Sequence, residues 1–199
     1  MGVVVTSASG TSSPNALPAA PDRSLRLALS APVQIRPAQS ADVGLIFSLI
    51  VELAEYERAP EQVRGTPALL AEALFGETRS AEAVIAEQDG TPVGFALFYG
   101  TFSTWECRPG IWLEDLYIPP EHRRGGIGRA LLAHVAAIAV SRGCTRLEWT
   151  ALDWNELALG FYRKLGATQL DDWVTHRLEG ASLLAAASLV QPRLVEPDS

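Results

Sequence analysis

The chain has 199 residues, 48% hydrophobic and 20% charged, with a formal net charge of −7, which suits one domain with a buried core plus a tail or two. The acidic balance argues against a nucleic-acid partner, and no run of residues is long enough to cross a bilayer. Two cysteines, Cys107 and Cys144, allow at most one disulfide, so a reduced, cytoplasmic protein is expected, and the three histidines stand too far apart for metal-ligand spacing.

Residues 1–32 are rich in Ser, Ala and Pro, show no sustained period, and are expected to form a disordered tail. They lack the basic start and apolar core of a signal peptide. Residues 1–6 match a loose N-myristoylation pattern, read as accidental because no basic patch follows. Residues 33–37 alternate like a short strand. Ser40 or Asp42 can cap the next helix, although Val43 precludes a full capping box. Val43, Ile46, Leu49, Ile50 and Leu53 then predict an amphipathic helix that stops by Pro60. Thr66-Pro67 starts a second helix, with Leu69, Leu70, Ala73 and Leu74 inward, ending at Gly76.

Residues 83–88 and 93–99 predict two strands joined across Asp89-Gly90. Residues 100–110 read as a loop carrying Trp105 and Cys107. Residues 111–118 are apolar nearly throughout, as in a strand covered on both faces, and Pro119-Pro120 ends it. Ile127, Leu131, Val135 and Ile138 fall at helical spacing, and Arg142-Gly143 closes that helix. Residues 145–151 predict another strand. Asn155 is placed as the N-cap of a short helix lined by Leu159, Tyr162 and Leu165 and ended by Gly166. Residues 173–178 predict a last strand and residues 181–190 a small helix. So few β–α–β alternations favour a mixed α+β layer over a doubly wound sheet.

Between the apolar strand and its helix lie Gly125, Gly126 and Gly128, flanked by Arg123, Arg124 and Arg129. Glycines let backbone N–H groups approach a phosphate, and a helix N-terminus adds unpaired donors and partial positive charge. A nucleotide P-loop would need Gly-Lys-Ser/Thr, which Gly128-Arg129-Ala130 lacks. A dinucleotide fingerprint would need a third glycine where Leu131 stands. The pattern that fits is Arg-x-x-Gly-x-Gly, at Arg123, Gly126 and Gly128; the alternative is an ordinary glycine-rich turn with solvated arginines.

This loop, in this order of elements, resembles the acetyl-CoA pyrophosphate loop of the GNAT superfamily of N-acetyltransferases. The likeness covers about residues 33–178 and is greatest to the diamine, or spermidine/spermine, acetyltransferases. Ile35-Arg36-Pro37-Ala38, Glu52-Leu53-Ala54-x-Tyr56-Glu57, Leu113-Glu114-Asp115, and Trp154-Asn155-Glu156 leading to Phe161-Tyr162-x-x-x-Gly166-Ala167 carry it. The resemblance implies a GNAT-like α+β fold over residues 33–180: a mixed, largely antiparallel sheet of roughly six or seven strands with about four helices. Residues 181–199 would form a C-terminal tail with a short helix.

By the same resemblance, acetyl-CoA would be held by residues 123–129, including Ile127, and its pantetheine arm by the backbone of Leu116, Tyr117 and Ile118, with Asn155 nearby. A small-molecule amine would be the acceptor, and a homodimer is expected. An amine attacking a thioester has to shed a proton, and the departing thiolate has to gain one. Glu114, a carboxylate in an otherwise apolar strand, is the candidate base. Its alternative is a structural carboxylate held by an arginine or backbone amides. Tyr162 is the candidate acid, or else a packed core tyrosine. Asn155 is equally well a plain cap.

Asp115 reads as structural or as a helper; its side chain would lie on the opposite face if the strand is regular, a direction left open by the bulge that the resemblance to GNAT enzymes implies in this strand. Tyr56 and Glu57 match a substrate-binding pair that would hold a second ammonium, or else form a solvated helix end. Trp105 would line the acceptor channel or anchor its loop. Ser103-Thr104-Trp105-Glu106 departs from the acidic loop of the polyamine enzymes, and an acidic residue late in their pattern is replaced near Trp173, which weakens a polyamine as the acceptor. Acetylation of a protein lysine or N-terminus, and a non-catalytic acyl-CoA sensor, are the competing functions. Retention of both Glu114 and Tyr162 opposes the sensor.

Overall fold

The computed structural model describes residues 32–123 and 125–189. The stretch expected to be a disordered tail lies outside the described residues but for Pro32, as do Arg124 of the glycine loop and residues 190–199. The chain divides into two units, one ending at Gly166 and one beginning at Ala167.

The first unit is built on a sheet ordered β1-β2-β3-β4-β5. Its strands are β1 (Gln34–Pro37), β2 (Glu82–Gln88), β3 (Thr91–Ser103), β4 (Arg108–Tyr117) and β5 (Leu147–Glu148). Pairing is antiparallel except between β4 and β5, which run parallel. Asp89 and Gly90 turn β2 into β3 with φ of 51° and 73°, the doubly positive turn whose twist suits a two-residue hairpin. The first helices are α1 (Val43–Tyr56) and α2 (Pro67–Phe75). Ile46, Leu49, Leu53 and Leu74 from this pair pack with Ile85, Phe95, Leu97 and Tyr117 of the sheet. Ala96 and Phe98 point the other way along β3 and are equally buried. There α3 (Ile127–Ser141) packs on β3 and β4, burying Ile127, Leu131, Leu132 and Val135. The last helix of this unit is α4 (Glu156–Lys164).

The predicted ends hold where a specific side chain or glycine sets them. Thr66 Oγ1 accepts the Leu69 N–H at 3.3 Å, and Gly143 and Gly166 follow α3 and α4 with φ of 69° and 84°. Asp42 acts differently from a simple cap. It accepts the Gln39 N–H at 2.7 Å and pairs with Arg36, which also holds Glu87. The guanidinium keeps the Asp42 carboxyl below its usual range.

Four expectations are corrected. The sheet has five strands among the described residues, not six or seven. The loop expected over residues 100–110 is mostly strand: Thr101 and Phe102 extend β3, Pro109 and Gly110 extend β4, and only residues 104–107 turn. A β-hairpin ladder there outweighs the loop composition. Of residues 145–151 only Leu147 and Glu148 pair, and residues 173–178 are irregular. A strand-like pattern becomes a strand only with a ladder to join, and that segment joins none among the described residues.

The second unit contains α5 (Gly180–Ala187), started by reciprocal bonds between Glu179 and Ser182. Among the described residues no helix is long and apolar enough to cross a membrane.

Candidate active site

Two irregularities in β4 make the site. First, the register with β3 slips: Leu97 faces Asp115, the next pair is Phe98 with Leu113, and Glu114 is left as an extra residue. Two residues of β4 against one of β3 is a bulge, and it changes which way the side chains point. Asp115 lies on the face of its partner Leu97. Glu114 reaches the face of Trp112 and Tyr99, which are opposite one another. Since Leu97 and Tyr99 share a face of β3, the two carboxyls stand on the same side. Asp115 would have pointed away from Glu114 only in a regular strand, and the bulge decides the direction that the resemblance left open.

Second, among the described residues β4 pairs with β5 only at Ile111–Leu147 and Trp112–Glu148 and with no other strand on that side. Residues 113–117 continue beyond, so β4 has an open backbone edge on the β5 side beside Glu114.

Glu114 is half-buried, and its Oε2 accepts the Trp112 Nε1–H at 3.0 Å. Tyr99 Oη stands at 3.5 Å from the same oxygen, and burial together with the Glu114 charge raises the phenol above its ordinary value. Asp115 is 3% exposed, with Oδ1 buried and unpartnered among the described residues. Burial, then Glu114, and more weakly Glu57 push its carboxyl up to about 7.

Tyr162 is buried on α4, its ring 4.9 Å from that of Trp149 and 5.3 Å from that of Phe161. Its Oη is buried without a hydrogen-bond partner among the described residues, and burial raises the phenol far above 10, so it keeps its proton. Asn155 lies two helical turns earlier on the same face. Its Oδ1 caps α4 by accepting the Ala158 N–H at 3.2 Å, while its buried Nδ2 has no partner among the described residues. The plain cap and a free donor are thus present together.

Gly126 begins α3 with φ of 79°, a conformation other residues adopt only under strain. A Cβ at Gly126 would meet nothing within 4 Å, and one at Gly125 would meet only the Ile127 side chain at 3.9 Å. The turn is open. No side chain among the described residues caps α3, in contrast to α2 and α4. Gly128 is buried and Arg129 exposed.

Arg123 is turned away from a solvated pose. Its Nε donates to the Ile118 carbonyl at 2.8 Å, and its guanidinium lies 5.0 Å from the Tyr56 ring and 5.7 Å from the Tyr117 ring. Tyr117 Oη stands 3.4 Å from Glu52 Oε2, and burial and that carboxylate raise the phenol to about 12. Tyr56 packs at 6.2 Å from the Trp154 ring, which Arg58 covers from 5.3 Å. Tyr56 and Glu57 are therefore half-buried rather than a solvated helix end. Trp105 stands 89% exposed in the β3–β4 turn. Leu116, Tyr117 and Ile118 are buried beside the open edge.

Residues 48–167 match the model of the acetyltransferase (GNAT) family. The chain belongs to the GNAT family of acetyltransferases. It is 40% identical over 162 residues to the thialysine N-epsilon-acetyltransferase of Bos taurus, covering 76% of this chain and 95% of that protein. It is 28% identical to the L-ornithine N5-acetyltransferase of Arabidopsis thaliana, covering 78% and 88%. Among solved structures, an integron cassette protein of V. cholerae superposes with a TM-score of 0.65 at 28% identity, over 78% of this chain and 97% of that one. This GNAT acetyltransferase is thus similar to the diamine acetyltransferase branch, and its α+β fold is the one expected.

Sequence reasoning missed Trp112 and Tyr99. Trp112 was within reach, because side chains two apart on a strand share a face. Tyr99 required the register across β3 and β4.

Proposed function

We propose that this acetyltransferase moves the acetyl group of acetyl-CoA onto the primary amine of a small lysine-like or diamine acceptor. The observation that carries the reading is the bulge that turns Glu114 and Asp115 to one face beside the open edge of β4. The names of the thialysine and ornithine relatives support an acceptor of this size and charge.

The residues fit acetyl-CoA. The turn has room at Gly125 and Gly126, and it leads into helix N–H groups that no side chain among the described residues caps, which suits a diphosphate. The β5-side edge of residues 113–117, unpaired among the described residues, offers a ladder to the amide-bearing pantetheine arm, and Asn155 Nδ2 and Tyr162 Oη are buried donors with no acceptor among those residues. Arg123 serves by bracing Ile118 and Tyr56.

An alkyl ammonium has a pKa near ~10.4, so only about one amine in a thousand is free to attack at neutral pH. Glu114 takes the nitrogen's proton, directly or through a water. The nitrogen bonds to the thioester carbonyl carbon, the carbon–sulfur bond breaks, Tyr162 Oη–H protonates the sulfur, and the second proton shed by the nitrogen as the amide forms restores the phenol. Tyr56 and Glu57 form an acidic, aromatic surround for a second ammonium. Both cysteines are free thiols, which supports a reducing, cytoplasmic setting. A homodimer belongs to the same reading, on the resemblance to the diamine acetyltransferases.

A thiol-release assay with acetyl-CoA tests this reading. Thialysine, ornithine and short diamines should accelerate release over monoamines and lysine peptides. Preference for peptides would move the protein to protein acetylation, and no acceleration by any amine would make it a sensor.

A further inference from the structure

Trp112 precedes Glu114 by two residues on β4, and its Nε1–H donates to Glu114 Oε2 at 3.0 Å. Tyr99, opposite Trp112 across the ladder, brings its Oη to 3.5 Å from the same oxygen, long for a hydrogen bond but on the same side. Both groups therefore converge on Oε2, and neither holds Oε1. Glu114 is the extra residue of a bulge, without a β3 residue opposite to fix its direction. A glutamate has three rotatable side-chain bonds, so a strand-borne donor at fixed distance is what removes that freedom. Indole N–H is a donor only. It orients the carboxylate without competing for the amine's proton.

We infer that Trp112, backed by Tyr99, is a positioning residue that holds Glu114 by Oε2 and leaves Oε1 to receive the proton of the acceptor amine. The inference rests on Glu114 being the base of the proposed reaction. Trp112 touches neither the amine nor the thioester in this account. Its effect runs through Glu114 alone. The Asp115 carboxyl beside Glu114 has no comparable donor on Oδ1 among the described residues, which separates the two acids: one is oriented for work, the other is buried with an oxygen unpaired.

A double-mutant cycle tests it. Trp112→Phe keeps the ring and removes the donor; losing a hydrogen bond to a charged group is expected to lower kcat about tenfold, with KM for acetyl-CoA within about twofold of wild type. Tyr99→Phe, the milder change at a longer contact, should lower kcat about twofold to threefold. In the Glu114→Gln background neither substitution should lower kcat further, because there is no base left to orient. Equal losses in both backgrounds would overturn the inference and make the two aromatics packing residues. Wild-type kcat in both single variants would overturn it as well. If Glu114→Gln itself runs at the wild-type rate, the base assignment fails first, a result distinct from either. Should Trp112→Phe fold poorly, the Tyr99→Phe arm decides by the same comparison.

Discussion

Glu114 and Asp115 are neighbours on β4 and yet face the same side of the sheet, because two residues of β4 stand against one of β3 at the bulge. Two carboxyls so close resist ionising together. Asp115, buried and with no partner at Oδ1 among the described residues, retains its proton to about pH 7. Perturbed acids of this kind gather where chemistry is done.

Losing that proton costs stability, with a defined sign. The Asp115 carboxyl is raised from 3.8 to about 7 in the fold, so between those values the folded chain binds more protons than the unfolded one. Stability therefore falls as pH rises from about 4 to about 7, by up to roughly 4 kcal/mol. Urea melts of Asp115→Asn at pH 5 and pH 8 should differ less than those of the wild type. An unchanged pH slope in the variant would remove Asp115 as its source.

Glu114→Gln keeps the size and removes the base. Turnover should drop about a hundredfold or more, while acetyl-CoA affinity measured by calorimetry stays near wild type. The deficit should shrink at high pH, where free amine is abundant. Loss of acetyl-CoA binding in this variant would assign Glu114 to the fold instead.

The glycine turn, the caps and the helix faces were legible in the sequence because each depends on local chemistry: Gly126 and Gly143 at positive φ, Thr66 and Asn155 as caps, Leu131 and Val135 at helical spacing. What was not legible depends on pairing. The slip between Leu97 and Phe98 that re-aims Asp115 cannot be seen in either strand alone, and neither can the end of the β4–β5 ladder at Glu148. The strand expected over residues 173–178 failed for the same reason: alternation describes a face, not a partner. Tyr56 and Glu57 read equally well as solvent-facing in sequence, because the Trp154 and Arg123 side chains that pack on Tyr56 come from distant parts of the chain.

Tyr162→Phe removes a buried hydroxyl that has no partner among the described residues. Since an unsatisfied buried group is a burden to the fold, the melting temperature should hold or rise. Acetyl transfer should nevertheless slow about a hundredfold. A fully active phenylalanine variant would take Tyr162 out of the acid role.

Asn155 separates capping from binding. Asn155→Asp retains the acceptor for the Ala158 N–H and loses the Nδ2 donor, whereas Asn155→Ala loses both. The alanine variant should melt about 2–4 °C lower and the aspartate variant should not. Both should raise KM for acetyl-CoA. A normal KM in the aspartate variant would leave Asn155 as a cap only.

A crystal structure with coenzyme A bound tests the central claim most directly. The account predicts the diphosphate on the N–H groups of residues 125–128, the pantetheine arm along the open edge of β4 at residues 113–117, and the sulfur beside Tyr162 Oη. A diphosphate seated away from the glycine turn, or a sulfur remote from both Tyr162 and Glu114, would contradict it.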